Sequence, residues 1–416
     1  MKTKFTKLTS IALLLTLLLI WIGCVKEKQN LNKTDSFLVT KEDATAFSDK
    51  HWKSSQTVGA NHRTADRKIR LIETLHEENS DKPALYIINY ESNNGFLILS
   101  ADKRSIPLLA YSDSENFSLK QLNPGLINWL ASSIDQIEDI RYKSENKRAL
   151  TIHSDWKKFE KTSSKEFNEN TLMDVPDSCY EDPICGIVCP ENQIPPINLS
   201  PLLSTTWNQG CGYNDYCPPS SKLDYCYHMP AGCVATAMGQ IMKYYQYPQL
   251  YNWNSMPNNS GSTYTSALLS SIGSYVNMSY SENGSGASDN QARQGFKDLD
   301  YTYPNRYDVN NYNANYGWNN IIKSELYSQR PVILSGCREK NSYLFKLVTI
   351  YGSCHMWVCD GMSAYYSCDG QGMEYFHMNW GWGGANNGYY LLTSLNPGFP
   401  HGYTYNMTML TNIKPK

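Results

Sequence analysis

What this chain lacks narrows its chemistry first. Of its 416 residues, 37 are Lys or Arg and 39 are Asp or Glu, a net charge of -2. With no excess of positive charge to track a phosphate backbone, the composition argues against nucleic acid as a partner. The apolar run from Ile11 to Ile22 is too short to cross a bilayer, which takes about 20 residues. The cysteines lack the paired C-x2-C spacing of zinc sites, and the glycines after Trp380 are not followed by a helix, so they form no phosphate loop. No wall-binding repeat is present. Neither a metal nor a cofactor is expected. What is abundant is tyrosine, 31 residues in a chain that is 12% aromatic. That suits a folded, loop-rich extracellular protein rather than a disordered one.

The N-terminus reads as an address. Lys2, Lys4 and Lys7 precede the apolar run, which ends in Gly23 and Cys24. A small residue before a cysteine at that point resembles a bacterial lipoprotein signal, with residues 1–23 removed and Cys24 lipidated. The chain would then reach the cell envelope or surface and hold the membrane through the lipid; a plain secretory signal is the alternative. Setting aside Cys24 and Cys233, ten of the 12 cysteines remain: 179, 185, 189, 211, 217, 226, 337, 354, 359 and 368. An even remainder in an exported chain favours disulfides over zinc. Spacing leaves their connectivity open.

At this length two domains are expected. Residues Ser36 to Glu77 are helix-compatible and carry no evident chemistry. Two β-rich runs, Leu85 to Tyr90 and Phe96 to Ser100, flank Asn93-Asn94-Gly95, a hairpin signal. A shorter run follows at Pro107 to Tyr111, and apolar spacing from Pro124 to Ile140 predicts a helix. The polar, proline-punctuated stretch 146–199 marks a linker where proteases cut. From about Ser200 the order runs from helix to sheet, an α+β pattern.

Chemistry gathers in that second half. Apolar residues from Val234 to Tyr245 recur at helical spacing, and Cys233 stands at the mouth of the helix, where unpaired amides and the macrodipole favour a thiolate. A cysteine hydrolase also needs an imidazole, something to orient it, and donors for the oxyanion. His355 lies in a predicted strand. Gln209 could donate a side-chain amide beside the backbone N–H of Cys233, and Asn379 and Trp380 could hold or cover the imidazole. Asp360 reads as structural, His377 as a weaker rival base, and His228 carries no assigned role.

The blocks GCVATAMGQIMKYYQYP, CHMWVCDGM and HMNWGWGGANNGYY resemble the nucleophile, histidine and tryptophan blocks of the streptopain family of papain-like cysteine proteases. The Asn-Gly hairpin and SADKRSIPLLAYS resemble that family's propeptide. The resemblance implies an α+β fold: a papain-like domain at 200–416, a helical part plus an antiparallel sheet, preceded by a small α+β inhibitory propeptide at 24–145. It also implies a zymogen activated by cleavage in the linker, acting on protein or peptide substrates. By motif position Cys233 is the nucleophile, His355 the general acid/base, Gln209 the oxyanion donor and Trp380 the residue packed by the histidine. Asn379 becomes the less favoured orienter. The loop Ser281 to Ser288 resembles the substrate-backbone loop, giving Ser285, Gly286 and Ala287 as substrate contacts. Cys354 stands where the family carries glycine, so it either narrows the cleft or ties its strand by a disulfide. The competing readings are a surface-binding lipoprotein with a dead site, and a thiol acyl transferase or amidase on the same fold.

Overall fold

The computed structural model describes residues 36–54, 67–120, 122–142, 152–153, 155–157, 180–182, 186–188, 197–309, 317–337, 354–366, 372–392 and 407–416. The expected signal 1–23, Cys24 and most of the expected linker lie outside them. The N-terminal half opens with helix α1 (Lys41–Ser54), started by a reciprocal Thr40–Asp43 cap. Strands β1 (Ile69–His76), β2 (Pro83–Tyr90), β3 (Phe96–Ser100) and β4 (Leu108–Ser112) follow in an antiparallel meander. The β2–β3 turn falls at the Asn-Gly signal. β1 corrects the helix-compatible reading of 36–77: its residues pair with β2, and tertiary pairing outweighs local preference. Helix α2 (Pro124–Tyr142) then buries Leu126, Ile127, Trp129, Leu130, Ile134 and Ile137.

The C-terminal half adds strands β5 (Tyr180–Asp182) and β6 (Gly186–Val188), which pair with each other, and β7 (Ile197–Leu199). Helices α3 (Cys233–Tyr245), α4 (Thr263–Tyr275) and α5 (Asp289–Asp298) come next, then β8 (Asn305–Asp308) and α6 (Trp318–Tyr327). Strands β9 (Val332–Cys337), β10 (Cys354–Tyr366), β11 (Gly372–Asn379), β12 (Gly388–Leu391) and β13 (Met407–Thr411) complete it.

One sheet runs through both halves in the order β1-β2-β3-β4-β12-β11-β10-β9-β13-β8, with β7 also pairing β10. The junction is β4 on β12, with Tyr111 opposite Tyr389 and Ala110 opposite Tyr390. Tyr111 stacks on Tyr389, ring centroids 5.0 Å apart, and the Trp129 indole donates to the Leu391 carbonyl at 2.8 Å. Trp156 packs on Phe47 of α1 while β7 pairs with β10, so ordered chain from each half reaches into the expected linker.

Alternation on β10 sorts the two faces. Met356 and Val358 join the core around α3 to α5, whereas Trp357 and Cys359 join the core shared with the N-terminal half. Helix α2 lies on that second face. A Cβ on Gly125 would sit 2.6 Å from the Trp357 ring, so only glycine lets the helix approach so closely.

Candidate active site

Cys233 is the first residue of α3, half-buried, with Gly232 as its N-cap. Gly232 has φ +90°, which favours glycine, and a Cβ there would lie 2.9 Å from the Ser285 carbonyl oxygen. The Ser285 carbonyl of the 281–288 loop therefore takes the space that a side chain at position 232 would need. Backbone amides of Met356, Val234 and Cys233 face the sulfur, but burial outweighs them and raises the thiol pKa above its usual value.

His355 is buried on β10, one residue before Met356, so the sulfur and the imidazole sit at the same end of the strand. Its Nε2 donates to the Trp380 carbonyl at 2.8 Å. A carbonyl can only accept, so the proton is on Nε2 and Nδ1 is free to take another. Burial lowers the imidazole pKa to about 4, against the opposing effect of that hydrogen bond. Burial thus opposes charge on both the thiol and the imidazole, and no hydrogen bond joins them among the described residues.

The tryptophan contacts are divided. Trp380 meets His355 through its carbonyl, while its ring lies on Trp357 and Tyr390. The rings against the imidazole are Trp357, stacked at 6.0 Å, and Trp382, edge-on at 6.0 Å. Sequence reasoning missed Trp382, although it stands two residues along the same Trp-Gly-Trp motif. Asn379 is not the orienter here. Its amide donates to the Thr205 carbonyl at 2.6 Å, and its oxygen accepts from Gln240 and Gly381. Gln240, also missed, accepts from the Trp207 amide as well and so ties α3 to both flanking segments. It lies two turns into the helix, where it reads as another buried helical position.

Gln209 is braced through its carbonyl, which accepts from Ala231, two residues before the nucleophile. Ser285 is buried, Gly286 pairs with Ser279, and Ala287 packs on the α3 core. Cys354 is exposed and disulfide-bonded to Cys337 across β9 and β10, beside His355. A second disulfide joins Cys211 to Cys226. Cys217 and Cys359 are free and buried, which corrects the expectation that all ten remaining cysteines pair. Cys179, Cys185, Cys189 and Cys368 lie outside the described residues.

Asp360 is fully buried and accepts from the Leu203 amide at 3.0 Å, while its other carboxylate oxygen meets His377 Nδ1 at 2.6 Å. Both residues thus fasten the entry of the C-terminal half rather than the nucleophile. Among the described residues no His, Cys, Asp or Glu cluster could hold a metal.

The sequence pattern of the peptidase C10 family matches residues 207–250 and 249–390, and that of the Spi protease inhibitor matches residues 36–137. The chain belongs to the streptopain family of cysteine-type peptidases. Streptopain of Streptococcus pyogenes serotype M28 is 25% identical over 381 residues, covering 80% of this chain and 81% of the relative. The thiol protease/hemagglutinin PrtT of Porphyromonas gingivalis is 25% identical over 386 residues, but this chain spans only 37% of its length. A fragment of prointerpain A from Prevotella intermedia shares the fold, with TM-score 0.53 and 23% identity over 84% of this chain and 99% of that fragment. In family terms, the inhibitor-type region supplies β1 to β4 and α2, and the peptidase region supplies α3 and the strand that carries His355.

Proposed function

We propose that this chain is an exported cysteine endopeptidase, described here in its latent zymogen form. The observation that carries the reading is the juxtaposition at the end of β10. The sulfur that opens α3 faces the Met356 amide, and the neighbouring His355 has its tautomer set by the Trp380 carbonyl. In the active form the Cys233 thiol gives its proton to His355, and the thiolate attacks the scissile carbonyl carbon. The Cys233 N–H and the Gln209 side-chain amide donate to the oxyanion. Collapse expels the amine, which takes its proton from His355. Water, activated by the same imidazole, then hydrolyses the thioester and restores the free thiol.

The N-terminal half acts as the inhibitor. Through α2 it covers the face of β10 that carries Trp357, against which His355 stacks, and it closes the β12 edge with β4. Activation is a cut in the linker within 146–199, and the pairing of β7 with β10 supports a cut before Ile197. Ser285, Gly286 and Ala287 form the edge along which a substrate backbone lies. The Cys337–Cys354 disulfide supports reading that side chain as a tie on the strand. The two disulfides suit an oxidising compartment. Export begins with the 1–23 signal and a lipid on Cys24, so the cut releases the peptidase unless contacts with the propeptide retain it.

The test is mass spectrometry of the purified chain before and after a thiol-reactive peptidyl epoxide. A single adduct on Cys233, together with a new N-terminus in the linker, supports the reading. A folded chain that takes no adduct would contradict it and favour a binding protein with a dead site.

A further inference from the structure

Between Gln209 and Cys233 the chain makes an excursion closed at its base by the Cys211–Cys226 disulfide. Its two ends are clamped by the hydrogen bond from the Ala231 amide to the Gln209 carbonyl at 2.8 Å. Inside it, the buried Asn214 amide donates to the carbonyls of Tyr225, His228 and Met229, which makes the excursion a small ordered body. Its far side bonds the 281–288 loop. Glu282 Oε1 accepts from the Ser220 hydroxyl at 2.9 Å, the Ser221 amide at 2.8 Å and the Ser221 hydroxyl at 3.0 Å. Lys222 Nζ adds a bond to Asn283 Oδ1.

The loop so held doubles back at Ser279 and Gly286, whose amides and carbonyls pair at 2.9 and 3.1 Å. It presses the Ser285 carbonyl against Gly232, and nothing lies within 4 Å of where a Gly286 Cβ would be. Fixed backbone beside the nucleophile with open space over Gly286 is an edge on which an extended peptide can lie.

We propose that Glu282 is a positioning residue for substrate: it transmits the rigidity of the disulfide-closed excursion to the 279–287 loop, setting the distance of that edge from Cys233. The inference rests on the peptidase reading of the site. One carboxylate oxygen gathers three donors, so its loss frees the loop at a single point. The nucleophile, its helix and His355 keep their own supports in α3, β10 and Trp380. The effect therefore falls on substrate binding rather than on chemistry.

Glu282→Ala in the matured enzyme is expected to raise KM for an extended peptide substrate about tenfold and to keep kcat within about twofold. Glu282→Gln, which still offers an oxygen to the serines, is expected to recover most of that loss. Alkylation of Cys233 by iodoacetamide stays at the wild-type rate in both variants. Amide hydrogen exchange at Ser279 and Gly286 speeds up in the alanine variant, and this readout needs no turnover. An unchanged KM, a loss confined to kcat, or unchanged exchange overturns the proposal. A wild-type enzyme that takes the epoxide adduct yet shows no such KM shift sinks the positioning role alone. A wild type that neither hydrolyses peptides nor takes the adduct sinks the peptidase reading, and the substrate role with it.

Discussion

In the N-terminal half, the Arg141 side chain is 2% exposed and its guanidinium bonds both Glu77 and Asp102, and Arg104 adds a second pair to Asp102. In the C-terminal half, Cys233 is half-buried and His355 buried, and there burial disfavours the charged form of each. Burial is the largest single influence in both places. Around Glu77 and Asp102 it is outweighed by the donors of Ser80, Tyr142, Arg104 and Arg141, which hold both carboxyls below their usual range. Around Cys233 and His355 it is not outweighed. The same physical cost thus gives opposite outcomes according to the partners supplied. One half uses paired charge to fix a shape, and the other suppresses charge where chemistry is to occur. Burial disfavours charge on both groups of the candidate site, and α2 of the N-terminal half packs on the strand that carries His355.

The sharpest break in this comparison is Cys233→Ala. It is expected to lower peptide hydrolysis at least about 10⁴-fold and to abolish self-processing, with the melting temperature unchanged; a variant that still matures when purified alone contradicts self-processing. Next is Arg141→Met, which leaves the buried Glu77 carboxylate without its guanidinium and Asp102 with Arg104 alone. It should destabilise the N-terminal half by about 3–5 kcal/mol, seen by hydrogen exchange across β2, β3 and α2, while α3 and α4 exchange as in the wild type.

Acid should act on both halves, in the C-terminal half by protonating His355, whose pKa burial lowers to about 4. His51, half-buried against Phe47, Trp52 and Tyr111, has its pKa lowered to about 4, chiefly by desolvation. A depressed folded pKa means stability complete above the unfolded value of about 6.5 and lost as pH falls toward 4. The depressed Glu77 and Asp102 add a further loss at still lower pH. Thermal melts between pH 7 and 4 should therefore fall steadily, and His51→Leu should flatten the upper part of that fall.

Removing the Cys337–Cys354 bridge should lower stability by about 3 kcal/mol, as expected for a closed loop of this size. Denaturant unfolding of the double alanine variant measures it. The smallest effect is assigned to Asn379→Ala. It strands the Thr205 carbonyl and Gln240, at about 1–3 kcal/mol of stability, without shifting the pH profile of the matured enzyme, since His355 leans on Trp380 instead. A displaced profile would restore Asn379 as orienter.

How far the sequence could be read follows the range of the forces involved. The Asn93–Gly95 turn, the α2 stripe and the Cys233 helix are legible because each is settled within a few residues. The strand at Ile69–His76 was missed because only β2 makes it a strand. The β4–β12 junction was equally invisible, since Tyr111 and Tyr389 are brought together by the whole fold. In the site, the residue types announced themselves through spacing and resemblance, but their partners did not. Asn379 looked free to hold an imidazole until Thr205 and Gln240 were found on it, and a backbone carbonyl such as that of Trp380 leaves no mark in a sequence. Cysteine parity suggested full pairing, whereas Cys217 and Cys359 are simply buried thiols.

The most direct test of the resting pair is the pH dependence of Cys233 alkylation by iodoacetamide, in the full chain and again after the N-terminal half has been cut away. The account predicts that the full chain reacts appreciably only at alkaline pH, beyond the ordinary thiol range of about 8.5. The processed enzyme should already react at a plateau rate near neutrality. A full chain that shows the neutral-pH plateau would contradict it, because the thiolate would then form while the N-terminal half is still in place.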